Sequence, residues 1–271
     1  RIYRSNTGST DTLYQFLGEI PFSKESFTDN VAGAELGEVL PSSTWVSPPN
    51  DDVYVNPGGP LQGLKELANG IFAGFTGRRI CFSEPFLPHA WPVEYRSTVE
   101  NDIIGLGAVA NGVFVLTTGK PYFFSGNDPS AIVGTQIDFA QGCINVNSIV
   151  DMGDSVYYAG PDGLCRINTS GSEILTGRIL SYSAWTSTFK ASSYIAQRHE
   201  SKYVALFETA DDFNGFVIDP ASPDSALSLI SRDRSPSAVY NDEGSDNLYI
   251  VEDVSGSNNQ AIQIYRGGNT D

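Results

Sequence analysis

Nucleophilic, acid–base and metal chemistry needs particular side chains held together: a Ser or Cys beside a base, paired carboxylates, or convergent His, Cys, Asp and Glu. This chain has three cysteines, Cys81, Cys143 and Cys165, and two histidines, His89 and His199. The cysteines form no CxxC pair and stand at no zinc-ligand spacing from a histidine. An odd, sparse set of this kind reads as reduced, buried thiols of a cytosol-folded chain. His89 lies in a Pro-rich stretch and His199 beside Glu200 in a hairpin turn, in different parts of the sequence, so both are read as structural. There is no Gly-x-Ser-x-Gly elbow and no glycine loop opening a helix. A glycosidase would need a carboxylate pair; Glu84, Asp102 and Asp151 are available, but nothing in the pattern singles them out. Asn241-Asp242-Glu243-Gly244-Ser245-Asp246 lacks the spacing and distal Glu of a calcium loop. Asn168-Thr169-Ser170 is a formal glycosylation sequon at the end of a predicted strand. The expectation is a protein without catalytic residues, cofactor or metal.

The elements carrying these residues are short strands. Twenty-seven glycines and fifteen prolines, with frequent Asn, Asp and Ser, supply turns in quantity. The clearest unit runs Gly105–Ala110, Asn111-Gly112, Val113–Leu116, Thr118-Gly119, Pro121–Phe124, then Thr135–Phe139 as a fourth strand. Asn-Gly is the dipeptide that most favours a two-residue hairpin, because both central positions take φ > 0. Ser148–Met152 begins a second unit, turning at Gly153-Asp154 and at Pro161-Asp162-Gly163, with a fourth strand expected around Trp185. Further units start near Leu64, Tyr194 and Ala238. Second strands open at Ile71, Val113, Val156, Tyr203 and Leu248, about 42–47 residues apart. Bulky residues closing the units, Trp45, Trp91, Phe139, Trp185 and Leu229, keep a similar step. That period is the length of a propeller blade, and it predicts an all-β, β-propeller-like array of four-stranded antiparallel blades. The second strands are apolar at successive positions, as strands covered on both faces must be. Trp45, Trp91, Phe139 and Trp185 are the predicted blade-core residues, wedged between adjacent sheets.

Residues 1–40 fall outside the period. Arg1–Arg4, Thr12–Leu17 and Ser26–Asp29 read as strands of a small β-sandwich-like piece similar to the end of a fibronectin-type module. The domain expectation is therefore 1–40 for that piece and 41–271 for the blades. The first residue is Arg1 and the sole methionine is Met152, which suggests part of a longer or processed protein.

Thirty-two acidic residues against sixteen basic ones give a formal charge of −16. Such a surface repels nucleic acid and anionic membranes rather than binding them. No apolar run approaches the ~18 residues a membrane span needs.

One stretch has an unusual sequence: Ser83-Glu84-Pro85-Phe86-Leu87-Pro88-His89-Ala90-Trp91-Pro92. With Leu36–Trp45, Pro48-Pro49, Asn69-Gly70-Ile71 through Gly77, Ser148–Gly153 and Ala159–Leu164, it resembles the nozzle, or packaged-DNA-stabilisation, virion proteins of short-tailed bacteriophages. The similarity covers roughly residues 1–190, and the segment Asp52–Gly63 departs from it as extra loop. The resemblance implies a structural protein of the virion tail, assembled in the bacterial cytoplasm. It implies a ring of six copies below the portal and adaptor that retains and then passes the genome. Acidic walls suit that role, because a basic wall within about a Debye length, ~10 Å, would bind the duplex and slow its release. Asp211, Asp212, Asp242 and Glu243, adjacent acids at loop tips, are the candidate lumen or rim residues. The alternative is a host-receptor or glycan-binding propeller, whose exposed aromatics would stack on sugar rings.

Overall fold

The computed structural model describes residues 1–7, 12–40, 46–208, 213–221, 227–232, 236–242, 244–245, 247–253 and 260–265. The chain divides into two compact units, Arg1–Trp45 and Val46–Asp271.

The first unit is a hairpin of β1 (Ile2–Thr7) and β2 (Thr12–Gly18), paired antiparallel. Residues 37–40 lie along β2 through hydrogen bonds between Phe16 and Gly37, Glu38 and Phe16, and Leu40 and Tyr14. Among the described residues this unit shows one two-stranded sheet and no second sheet. Ser26–Asp29 forms no strand; instead Asp29 accepts Arg4 at 2.7 Å. None of this unit's residues with described burial is fully buried.

The second unit is the predicted array. Its first sheet is β3 (Gln62–Glu66), β4 (Phe72–Thr76), β5 (Arg79–Phe82) and β6 (Arg96–Thr98). The second is β7 (Ile103–Val109), β8 (Gly112–Thr117), β9 (Tyr122–Ser125) and β10 (Val133–Gln136). The third is β11 (Val150–Asp151), β12 (Ser155–Ala159), β13 (Leu164–Asn168) and β14 (Gly171–Ile174). The fourth is β15 (Ile195–His199), β16 (Lys202–Leu206), β17 (Gly215–Ile218) and β18 (Leu227–Ile230), and the fifth has β19 (Pro236–Asp242), β20 (Asn247–Asp253) and β21 (Gln260–Tyr265). Each is an antiparallel meander in chain order, which is a blade.

Period-2 alternation in the second strand of each blade assigns one set of side chains to each neighbour. Ala73 and Phe75 of β4 meet Val113 and Val115 of β8 in the first seam. Phe114 and Leu116, the other face of β8, meet Val156 and Tyr158 of β12 in the second. Tyr157 and Ala159 then face Tyr203 and Ala205 of β16 in the third. Val204 and Leu206 face Leu248 and Ile250 of β20 in the fourth. Four inter-blade seams thus bury both faces of the second strand in the middle three blades. This is why those strands read as continuous apolar runs.

Turn chemistry explains most of the remaining sequence. Asn69 (φ 64°) and Gly70 (φ 67°) form the expected left-handed turn between β3 and β4. Asn111-Gly112 does not. The turn residues are Ala110 and Asn111, Gly112 opens β8 paired with Val109, and neither Asn111 nor Gly112 has positive φ. Glycine is needed there because a Cβ would run into the carbonyl of Phe124 on the adjacent strand. The fourth strand of the third blade also differs from expectation. The Asn168 side chain accepts the Ser170 and Gly171 N–H groups, both at 2.9 Å, and turns the chain straight back into β14. The sequon is thereby occupied by a tight turn, and Trp185 lies beyond the blade in a π-helix, Ala184–Thr188. The fourth strand of the second blade ends at Gln136, three residues before Phe139.

Candidate functional site

The side chains considered for chemistry lie in separate places. All three cysteines are buried and free. Burial pushes the Cys81 thiol up to about 11 and that of Cys143 to about 12, and raises Cys165 further. A thiol whose pKa is raised holds its proton over the whole neutral range, and the thiolate is the reactive form. Native protein at pH 8 is therefore expected to leave a disulfide reagent such as Ellman's unreacted, and to titrate three thiols once denatured. Rapid labelling of any thiol in the folded protein would contradict this.

His199 ends β15 and is 3% exposed. Its Nδ1 shares a hydrogen bond of 3.1 Å with Asn241 Oδ1 across the fourth seam. Glu200 (φ 47°) and Ser201 (φ 61°) make the turn beyond it. His89 stands exposed in the loop between β5 and β6. The three candidate carboxylates are held apart by different partners. Glu84 accepts the Tyr95 hydroxyl at 3.3 Å, Asp102 lies 3.9 Å from Arg78, and Asp151 accepts Lys65 at 2.6 Å. Among the described residues no three His, Cys, Asp or Glu side chains come together as a metal site.

The predicted blade-core residues divide. Trp185 is 0% exposed in the third seam, edge-on to Tyr194 and Phe216, with its indole N–H donating to the Gly160 carbonyl at 2.8 Å. It packs among residues of the third and fourth blades. Phe139 is half-buried against the second seam. Trp91 is buried, but in the β5–β6 loop, where its indole donates to Pro88 and its backbone N–H to Val46. It anchors that loop and stands outside the four seams. Trp45 lies outside the described residues, and Leu229 of β18 is 53% exposed. Of the acidic rim candidates, Asp211, Asp212 and Glu243 also lie outside the described residues. Asp242 ends β19 and accepts the Ser245 hydroxyl and the Gly244 N–H, which hold its carboxyl below the usual range.

Three arrangements were not read from sequence. Asp151 joins three blades: Oδ2 takes Lys65 of β3 and Oδ1 accepts the Ala108 N–H of β7 at 3.0 Å. Side chains of the first and third blades thus touch across the innermost strands. Second, Arg232 and Glu252 form an ion pair with side chains 10% and 1% exposed, at one end of the fourth seam. The signal was Glu252 itself, which continues the core parity of Leu248 and Ile250. Third, the outward face of the fifth blade is apolar. Register places Ala238 and Tyr240, Val251 and Tyr249, and Ile262 and Ile264 on one side. Tyr240 is 62% exposed, Ile262 70% and Ile264 44%. The other face of this same sheet builds the fourth seam.

A scan against protein-family models finds no match, and no curated protein matches. Solved structures do. The extracellular domain of the one component system BT4673 from B. thetaiotaomicron is 12% identical with a TM-score of 0.49, over 77% of this chain and 26% of that one. YCF48 from Cyanidioschyzon merolae is 10% identical, TM-score 0.47, over 75% of this chain and 71% of that one. BBS1N, solved in complex with ARL6DN, is 14% identical, TM-score 0.46, over 81% and 67%. The chain spans about a quarter of the length of the BT4673 domain. The sheet order itself shows a β-propeller-type blade array.

Proposed function

We propose that this propeller module works by binding protein within a larger assembly, and not by catalysis. The observation that carries the reading is the face of β19–β21, apolar around Tyr240, Tyr249, Ile262 and Ile264 and bearing the Asp242–Asn247 pair at one end, which no described residue covers. Blades bury their faces by stacking, this sheet already does so on its inner side, and exposed apolar sheet faces mark interaction surfaces. Three strands about 4.8 Å apart and some 20 Å long offer a footprint of roughly 300 Å². A stable two-protein interface takes about 800 Å² per partner, so this face is one contact among several in an assembly.

The finer reading is the tail nozzle that the sequence resemblance implies. It is supported by that resemblance and by the formal charge of −16. In this reading the genome passes through a ring of copies. The other reading, receptor or glycan binding, would place a sugar on an exposed aromatic.

Buried native thiols make a clean footprint possible. A cysteine introduced as Ile262→Cys should label readily in the isolated chain and be protected in particles purified with the protein in place. Equal labelling in both states would overturn the assembly reading. Glycan-array binding in place of such protection would favour the other.

A further inference from the structure

The Ser83–Pro92 run, conspicuous in sequence, is a braced loop that holds one aromatic ring outward. Ser83 Oγ accepts the Phe72 N–H and donates to the Glu84 carbonyl, each at 2.9 Å. Inside the loop, Glu84 N–H donates to Ala90, Leu87 to Glu84 and Ala90 to Leu87. Trp91, 1% exposed, fixes its far end. Against this frame Phe86 is 76% exposed and takes φ 59°, a conformation bulky residues rarely adopt. Its N–H donates to the Gly70 carbonyl at 2.8 Å. Its ring lies over Gly70, where a Cβ would collide with it. The adjoining Asn69 is also left-handed, and its amide donates to the Asn127 carbonyl in the second blade. A large apolar ring is therefore held, in an unfavourable backbone state, where it covers little of the protein's own core.

The surroundings are acidic. Tyr95, 3.3 Å from Glu84, has its hydroxyl pKa raised, first by burial and then by the fields of Glu84, Asp128 and Glu94. The turns at residues 93–95 and 129–131 pack together beside the loop; Glu94, Asp128 and the apolar Val93 are exposed there, and Asp128 Oδ1 accepts the Ser130 N–H and hydroxyl. Arg96, the nearest arginine in sequence, turns a guanidinium nitrogen to the Trp91 carbonyl.

We propose that this loop, with the turns carrying Asn69 and Asp128, is a docking site for a cationic segment of a partner protein, anchored on the Phe86 ring. An arginine or lysine stem lies over the ring while its head meets the carboxylates, joining cation–π attraction to charge pairing. A rigid, preorganised aromatic loses little freedom on binding, which is the character of an interface anchor. The carboxylate excess selects a cation over a neutral sugar. The proposal rests on the reading that the module binds protein, and uses a different surface from β19–β21.

The probe is a fluorescein-labelled peptide of alternating arginine and leucine, with a citrulline-for-arginine peptide as control. The chain is expected to bind one arginine peptide saturably and the citrulline peptide not at all. Phe86→Ala, Phe86→Gly and the double variant Glu84→Gln/Asp128→Asn should each weaken binding about tenfold or more. Glycine accepts φ 59° without strain, so loss of binding in Phe86→Gly at an unchanged melting temperature separates display from a packing role. Asp51→Asn/Asp52→Asn, which removes the same charge elsewhere, should bind as the parent does. Binding insensitive to Phe86, equal loss in the Asp51/Asp52 variant, no binding of the arginine peptide, or Phe86-dependent binding of neutral glycans would each overturn the proposal. Any of these leaves the Ile262→Cys protection result standing, so failure here is distinct from failure of the assembly reading.

Discussion

Trp185→Ala should lower stability by about 3–5 kcal/mol, the usual cost of truncating a fully buried aromatic. The indole fills the third seam, in edge contact with Tyr194 and Phe216, and is 0% exposed. Tyr194 and Tyr203 are themselves fixed by the hydrogen bond between their hydroxyls, and Tyr203 also donates to the Ser148 carbonyl. A cavity there cannot collapse without breaking those bonds. The lost indole N–H also strands the buried Gly160 carbonyl it served, which adds about 1 kcal/mol or more. At roughly 2–4 °C per kcal/mol for a unit of this size, the melting temperature should fall by some 6–20 °C. Trp185→Phe keeps most of the volume and should recover more than half of the loss. A melting temperature within a degree or two of the parent would mean that Trp185 does not wedge the blades apart.

Arg232→Ala should be comparably costly, but locally. Glu252 is 1% exposed and would be left as a buried charge without its counter-ion, a defect of about 3–5 kcal/mol. The fourth seam has the smallest apolar core among the described residues, with Val204, Leu206, Leu248 and Ile250 as its buried members. The fifth blade is thus the one with least hydrophobic burial to offset the loss. Amide exchange should rise in β19–β21 while β8 and β12, buried on both faces, stay protected. The double variant Arg232→Met/Glu252→Leu removes both charges and should restore most of the stability, because a matched apolar pair escapes the desolvation penalty. Uniform exchange in all five blades after Arg232→Ala would contradict a latch specific to the fourth seam.

The blade period was legible because second strands buried on both faces cannot alternate. Ile71, Val113, Val156, Tyr203 and Leu248 therefore stand out as the starts of apolar runs. Trp185 was expected in a strand and stands in a helix, since five residues of Ala-Trp-Thr-Ser-Thr carry no periodic signal. Residues 1–40 were read as a sandwich-like piece from three strand-like segments similar to the end of a fibronectin-type module; of these, Ile2–Thr7 and Thr12–Gly18 pair as a hairpin, and Ser26–Asp29 forms no strand. Asn111-Gly112 shows that a turn signal can be satisfied one residue away, with glycine kept for close strand approach. Lys65–Asp151 and Arg232–Glu252 join residues in different blades, and no local pattern announces such pairs. Phe86 was hidden for a different reason. Its run reads as an odd loop, and only the backbone shows the ring held outward.

The assembly reading is tested most directly by electron-microscope images of the complete protein together with portal and adaptor. The account predicts a ring of copies in which the β19–β21 face is covered by protein. The DNA passage should lie on the axis of that ring. Solitary propellers with β19–β21 open to solvent, or duplex density running between β3 and β11 of one chain, would contradict it.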